Sequence, residues 1–529
     1  MSEMVTKRAR STAPALDLTN LMLPGDYPSH HAARAPGALA IVCGSRRWTY
    51  AELDRACDAF VTVLRDYGIG PGDRIAYHGK NSDLYFPVLF GAMRAGVVLV
   101  PVNWRNTAIE TRHVLDDSGS KLIIVDAEFV SIVQAASEAV PILLVDDDAG
   151  ADNLRVRLER TQPAERHPMQ ADATALQLYT SGTTGRPKGV LTTQFAIAAQ
   201  RQAERESGHF DDWRDDETLF SPLPNFHIGG MSWALTAFVR GLPLIITADP
   251  SPPAILNAII EHGATRSFMV PTLVRALIDE MQARGLERSS LRGIHYGAAA
   301  MDPHLLDRSV DTLGCRFLQY YGMTELGGSV TILGPTYHDT RRPHLLRSVG
   351  RPMPGFTIEI RSPDAEPVAV DTPGEIWIRG PSVTAGYWQR PEATAEALVD
   401  GWYRSGDGGR IDEDGFLYLT DRIKDMIVSG GENVYPAEVE AALREHPAVL
   451  DCAVFGLPHD KWGEGVTAAV EVRPNHSVTA DALIAFARGH LAAYKIPRRI
   501  ELDIVLPRTA TGKVQRGALR ATFAEKTRD

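Results

Sequence analysis

Between residues 50 and 145 the apolar positions change period in a regular way. Tyr50 to Gly68, YAELDRACDAFVTVLRDYG, has apolar residues at helical spacing and stops at a glycine, which predicts a helix with a glycine end. RIAYHG follows as a short strand, a helical stretch runs to Ala95, and VVLVPV reads as a buried strand. KLIIVD and PILLVDD repeat the strand pattern. Strands that are apolar throughout and alternate with helices predict a largely parallel α/β architecture. No repeat of solenoid period is present. From about Thr420 the texture changes to polar loop, helix and strand (DRIKDMIVSGGENVYPAEVEAALREHPAVLDCAVFG), then a strand at VTAAVEV and a helix from Asp481 to Leu491. These last roughly 105 residues suffice for a small α+β domain.

The length, 529 residues, exceeds what one core supports, so roughly three or four domain-sized units are expected. Apolar content of 44% and charged content of 23% exclude a disordered chain. A net charge of -11 argues against nucleic acid as the main partner. Within this acidic chain Leu491 to Arg520 has seven basic and two acidic side chains, which makes it either a solvated face or a phosphate contact. Cysteines 43, 57, 315 and 452 form no CxxC pair. That suggests neither a zinc cluster nor a disulfide framework and fits small buried residues in a reducing compartment. The most apolar window, Val88 to Val102, is interrupted by Arg94 and too short to cross a bilayer. The N-terminal MSEMVTKRARSTAPALDL has no long apolar run; it is not a secretory signal and reads as a frayed tail or a targeting segment.

The densest candidate chemistry is YTSGTTGRPKG, Tyr179 to Gly189. Glycines let backbone N–H groups approach an anion, hydroxyls add donors, and Lys188 adds a positive charge suited to polyphosphate. LQLYT before it reads as a strand and AIAAQRQAE after it as a helix, which predicts strand, anion loop and helix. The P-loop spacing is absent, because Pro187-Lys188-Gly189 stands where Gly-Lys-Ser/Thr is needed.

The loop resembles the signature of the adenylate-forming superfamily, which contains acyl-CoA synthetases, peptide-synthetase adenylation domains and luciferases. PLPNFHIGG, YYGMTE, GWYRSGD, DRIKDMIVSGGENVYPAEVE and PRTATGKVQR follow in that family's order over about 340 residues. The resemblance implies an α/β fold: a large N-terminal domain of parallel α/β sheets with a β-barrel-like subdomain (1–422), and a small mobile C-terminal α+β domain (423–529). It implies a ligase of the acyl-CoA synthetase type, using ATP, Mg²⁺ and coenzyme A. A carboxylic acid becomes acyl-AMP with loss of pyrophosphate, and a thiol then displaces AMP. An anion attacks an anion in the first step, so electrostatic stabilisation is the main demand on the protein.

By the same resemblance, Thr180, Ser181, Gly182, Thr183, Thr184, Gly185 and Lys188 cradle the β- and γ-phosphates, Thr324 meets the α-phosphate, and Glu325 holds Mg²⁺. Tyr321 stacks on adenine against Gly297, Ala298 and Ala299, with Tyr320 and Gly322 beside it. Asp407 accepts the ribose hydroxyls and Arg422 reaches the same sugar; an acceptor-only carboxylate suits that task. Ser405 stands where the family usually has threonine. Lys513 contacts the attacking carboxylate and the α-phosphate, Lys424 is the hinge of the small domain, and Gly430 and Gly431 approach the pantetheine arm. For the acyl pocket the resemblance points to His227, Trp233, Gly229, Tyr320 and Gly328. No aspartate stands near Phe226-His227, which disfavours a free α-amino acid, and the bulk of Trp233 and Tyr320 favours a compact medium-chain, aryl or arylalkyl acid. The expected partner is a small-molecule carboxylic acid, with no nucleic acid and no transmembrane segment, in the cytoplasm; peripheral membrane contact and a homodimer stay open. Carrier-protein loading, a luciferase-like oxidase and a nucleotide-binding regulatory protein are the rival readings.

Overall fold

The computed structural model describes residues 8–146, 152–180, 187–299, 301, 303–422, 425, 427–429, 432–459, 462–491, 493–502, 504–509 and 514–525. The chain divides into two compact units. One comprises Thr12–Thr357 and Arg379–Tyr403; the other comprises Ile358–Ile378, the chain from Arg404 onward, and the N-terminal stretch ending at Ser11.

The first unit is layered around two mixed sheets. In the seven-stranded sheet, Arg74–His78, Val98–Val102, Ile123–Val125, Ile142–Leu144 and Thr174–Thr180 run parallel, and Lys188–Thr193 and Gly386–Tyr387 add an antiparallel edge. In the nine-stranded sheet the parallel run is Leu39–Cys43, Leu244–Ile246, Leu219–Ser221, Arg266–Met269, Gly293–Tyr296 and Arg316–Met323, with antiparallel strands at both edges. One core between the sheets buries Phe60, Leu64, Phe86 and Phe90 with Ile75, Leu99 and Leu244. Two further cores cover the outer faces: Leu256, Leu277 and Leu306 pack on Ile245, Ile294 and Phe317, and Val114, Leu115 and Val133 pack on Val100 and Ile123. Both faces of each sheet are therefore buried, as apolar parallel strands require.

Local sequence sets the element ends. Thr49 and Glu52 form a reciprocal capping box on the helix Tyr50–Asp66, and Gly68 leaves that helix at φ +67°. Its apolar face meets the helix Tyr85–Ala95 at Gly91, where an added Cβ would lie 2.7 Å from the Cys57 carbonyl oxygen. Only glycine permits that approach. All four cysteines are buried and unbridged.

Two expectations are corrected. The anion loop does not lead directly into a helix. Lys188–Thr193 returns as a strand beside Thr174–Thr180, and the helix Gln194–Glu206 starts only after Thr193 caps it. Val190, Thr192 and Thr193 are β-branched, which favours the extended form. The N-terminus is also not frayed throughout: Arg10–Thr12 is a strand, and Ala9 is buried, donating to the Val368 carbonyl at 2.8 Å.

In the second unit, residues 407–411 of the strand Trp402–Ile411 pair antiparallel with Leu417–Arg422. Farther along, Val449–His459 and Gly463–Val472 form the long hairpin of a five-stranded sheet. The helices Pro436–Arg444 and Ala480–Arg488 cover one core on that sheet, and Arg516–Glu525 covers another. Much of the basic C-terminal segment pairs internally: Lys495 with Glu438, Arg499 with Glu501, Arg508 with Asp451 and Arg516 with Glu440. Those pairs weaken the reading of that segment as a free phosphate-binding face.

Candidate active site

Thr180 and Lys188 lie directly opposite each other at the loop end of their hairpin. Ser181, Gly182, Thr183, Thr184 and Gly185, between them, fall outside the described residues. Arg316–Met323 ends at the same level and passes into a single turn, Thr324–Leu326, which carries Glu325. The backbone N–H of Thr384 donates to the Glu325 carbonyl at 2.7 Å and holds that turn. The Glu325 carboxylate accepts from the Thr180 hydroxyl at 3.5 Å and from the Tyr387 hydroxyl at 3.2 Å. Lys188 Nζ lies 5.2 Å from the centre of the Tyr387 ring, and Tyr403 O–H meets Tyr387 O–H at 3.5 Å. Burial, reinforced by the charge of Glu325, raises the pKa of both tyrosines, so they remain neutral donors. A hydroxyl and a carboxylate thus meet at the carboxyl ends of Thr174–Thr180 and Arg316–Met323, with a lysine at the start of the returning strand beside them, where open α/β folds bind ligands.

The next strands shape a second part of the site. Gly297 follows Gly293–Tyr296, and a Cβ on it would lie 2.9 Å from the Tyr320 carbonyl oxygen and 3.2 Å from the Phe268 ring. Ala298 and Ala299 are exposed beyond it, and Ala298 holds φ +67°, a strained conformation of the kind that gathers at functional sites. Gly322 sits at a register shift, where a Cβ would meet the Gly328 carbonyl oxygen at 2.0 Å. Tyr320 and Tyr321 alternate in direction along their strand. The Tyr320 hydroxyl meets His295 Nδ1 at 2.7 Å.

Phe268 joins the expected acyl residues. Its ring lies 6.2 Å from Trp233 and 6.0 Å from Tyr320, and a Cβ on Gly229 would touch it at 3.6 Å. Trp233 is buried and donates its indole N–H to the Phe220 carbonyl at 2.9 Å. Gly328, at φ +134°, leaves space that a Cβ would fill 3.1 Å from the Ser232 hydroxyl. His227 caps the helix Ile228–Arg240 without a side-chain capping bond, and its ring tilts against Phe226 at 4.4 Å. The positive end of that helix dipole favours an anion nearby.

Asp407 and Arg422 belong to the second unit and are register partners on adjacent strands. Ser405 donates to the Ile376 carbonyl at 2.7 Å and accepts from the Asp407 N–H at 3.0 Å. The hydroxyl of Ser405 therefore fixes the Asp407 turn, a function serine shares with threonine. Lys424, Gly430, Gly431 and Lys513 lie outside the described residues.

A family profile described as AMP-binding enzyme matches residues 29–388, and one described as AMP-binding enzyme C-terminal domain matches 438–513. The chain belongs to the AMP-binding enzyme family. Among relatives of this AMP-binding enzyme, a feruloyl-CoA synthase of Amycolatopsis sp is 37% identical over 94% of this chain and 99% of its own. A fatty acid–[acyl-carrier-protein] ligase of Streptomyces coeruleorubidus is 36% identical over 94% of this chain and 95% of its own. The solved o-succinylbenzoate CoA synthetase of Bacillus subtilis, in complex with its acyl-adenylate intermediate, superposes with a TM-score of 0.83 at 30% identity, covering 94% of this chain and 98% of that one. Among the described residues no three His, Cys, Asp or Glu side chains cluster as a metal cage. One carboxylate and a hydroxyl, Glu325 and Thr180, are nevertheless hard oxygen donors of the kind that complete a magnesium site together with substrate phosphates.

Sequence reasoning missed Phe268, Tyr387, Tyr403 and His295. The first three resemble ordinary core aromatics in sequence, and only the strand ends place them. Gly386-Tyr387, before WQRPEAT, gave the one usable signal: a glycine next to an aromatic after a polar turn.

Proposed function

We propose that this AMP-binding enzyme is an ATP-dependent acid–thiol ligase that converts a carboxylic acid to its acyl-adenylate and then to the coenzyme A thioester, releasing pyrophosphate and AMP. The observation that carries the reading is the meeting of Thr180, Lys188, Glu325 and Tyr387 at the strand ends. Lys188 would neutralise the phosphate chain, with Tyr387 beneath it. Glu325 and Thr180 would hold the magnesium ion, whose chemistry when bound is to offset charge on the phosphate oxygens. Tyr321 and the small side chains Ala298 and Ala299 would take adenine, Asp407 and Arg422 the ribose, and Lys513 the attacking carboxylate and the α-phosphate. Lys424 would be the hinge between the two half-reactions, and Gly430 and Gly431 would serve the thiol step. His227, Gly229, Trp233, Phe268, Tyr320 and Gly328 would bound the acyl group. Their aromatic bulk and the aryl name of one relative favour a compact aryl or arylalkyl acid.

A second reading, loading of an acyl group onto a carrier protein, is favoured by the carrier-protein ligase among the relatives. Thioester formation measured side by side with coenzyme A and with a phosphopantetheinylated carrier protein separates the two. We expect turnover with coenzyme A to exceed that with the carrier at least tenfold; the opposite order establishes the carrier reading. Among the described residues no helix is long and apolar enough to cross a membrane. We place the enzyme in the cytoplasm on its free, buried cysteines.

A further inference from the structure

His295 is fully buried, and its Nδ1 is taken by the Tyr320 hydroxyl, but its Nε2 has no hydrogen-bond partner. Trp213, half-buried, has its indole N–H enclosed and equally without a partner. The two rings are 5.7 Å apart at 85°. A buried donor or acceptor left unsatisfied is costly, and two in one aromatic cluster call for a ligand that completes them.

Their place in the sheet says which ligand. Phe268 and His295 are register partners, and Gly297 follows two residues later on the same face, about 7 Å further along at the strand rise. Trp233 lies 4.7 Å from the His295 ring, and Tyr320 stacks on it at 5.6 Å. The exposed end of this face is at Ala298 and Ala299, where the adenylate is placed under the proposed function, on which this inference rests. An acid activated there points its far end inward past Phe268 towards His295. Two polar groups on the way are occupied: the Trp233 N–H by Phe220, the Tyr320 hydroxyl by His295.

We propose that His295 and Trp213 form a polar subsite that selects aryl acids carrying a hydroxyl on the ring end remote from the carboxylate. A hydroxyl both donates and accepts, so it can accept from the Trp213 N–H while pairing with His295 Nε2 in either tautomer. Burial first, then the charges of Arg266, His209 and Arg240, keeps the imidazole neutral. A cationic substituent is disfavoured there because Arg240 and Arg266 each lie 4.7 Å from the centre of the Trp213 ring.

The test is pyrophosphate release by the full chain with ATP and magnesium, on the matched pairs 4-hydroxycinnamic and cinnamic acid, and 4-hydroxybenzoic and benzoic acid. The wild type is expected to favour the hydroxylated member of at least one pair by about 10–100-fold in kcat/KM. His295→Leu and Trp213→Phe should each bring that ratio close to one by slowing the hydroxylated acid alone, and His295→Gln should keep most of it. A wild-type ratio within about threefold in both pairs, or variants that lower both members equally, overturns the subsite and leaves the ligase reading standing. Absence of turnover with any acid, octanoic acid included, overturns the ligase reading and the subsite with it.

Discussion

Glu325→Gln should lower acid-dependent ATP–pyrophosphate exchange by about 10²–10³-fold, the scale of losing one preorganised electrostatic partner. The substitution keeps the side-chain volume and an acceptor for Thr180 and Tyr387, so the turn held by Thr384 should persist. What disappears is the negative charge. Tyr387 and Tyr403 cannot replace it, since both stay protonated far above neutral pH. The apparent magnesium requirement should rise in the variant, while its melting temperature should change little. Exchange within about threefold of wild type at the same magnesium concentration removes Glu325 from the metal role.

Lys513→Ala should cost a similar factor, about 10²–10³, in the first half-reaction only. Lys513 lies outside the described residues, but its flanks are well anchored. Arg508 bridges antiparallel to Val514, the Gln515 N–H donates to the Pro507 carbonyl at 2.7 Å, and Arg516 pairs with Glu440. Arg508 also binds Asp451, which in turn holds Arg444 of the helix Pro436–Arg444. Thioester formation from pre-formed acyl-adenylate and coenzyme A should stay within a few-fold of wild type. Equal loss in both half-reactions assigns Lys513 a structural role instead.

The parallel core was legible because its strands are apolar on both faces and its helices announce their ends, as Thr49, Glu52 and Gly68 do around one of them. The antiparallel edges were not. Lys188–Thr193 is short and merges in sequence with the helix after it, and its strand character comes from pairing with Thr174–Thr180. Arg10–Thr12 is polar and carries no alternation; a partner backbone makes it a strand. Motif residues such as Glu325 could be named from their neighbours in sequence. Tyr387, Phe268 and His295 could not, because an aromatic or a lone histidine in an apolar stretch reads as core, and their significance comes from the strand ends that bring them together.

Ligase chemistry is tested most directly by ATP–pyrophosphate exchange of the purified chain, with magnesium, without coenzyme A, across a panel of aryl, arylalkyl and medium-chain acids. We expect exchange that depends on both the acid and magnesium, with acyl-AMP identified by mass. Folded protein that takes up no ATP, or that binds ATP yet catalyses no exchange with any acid, contradicts it.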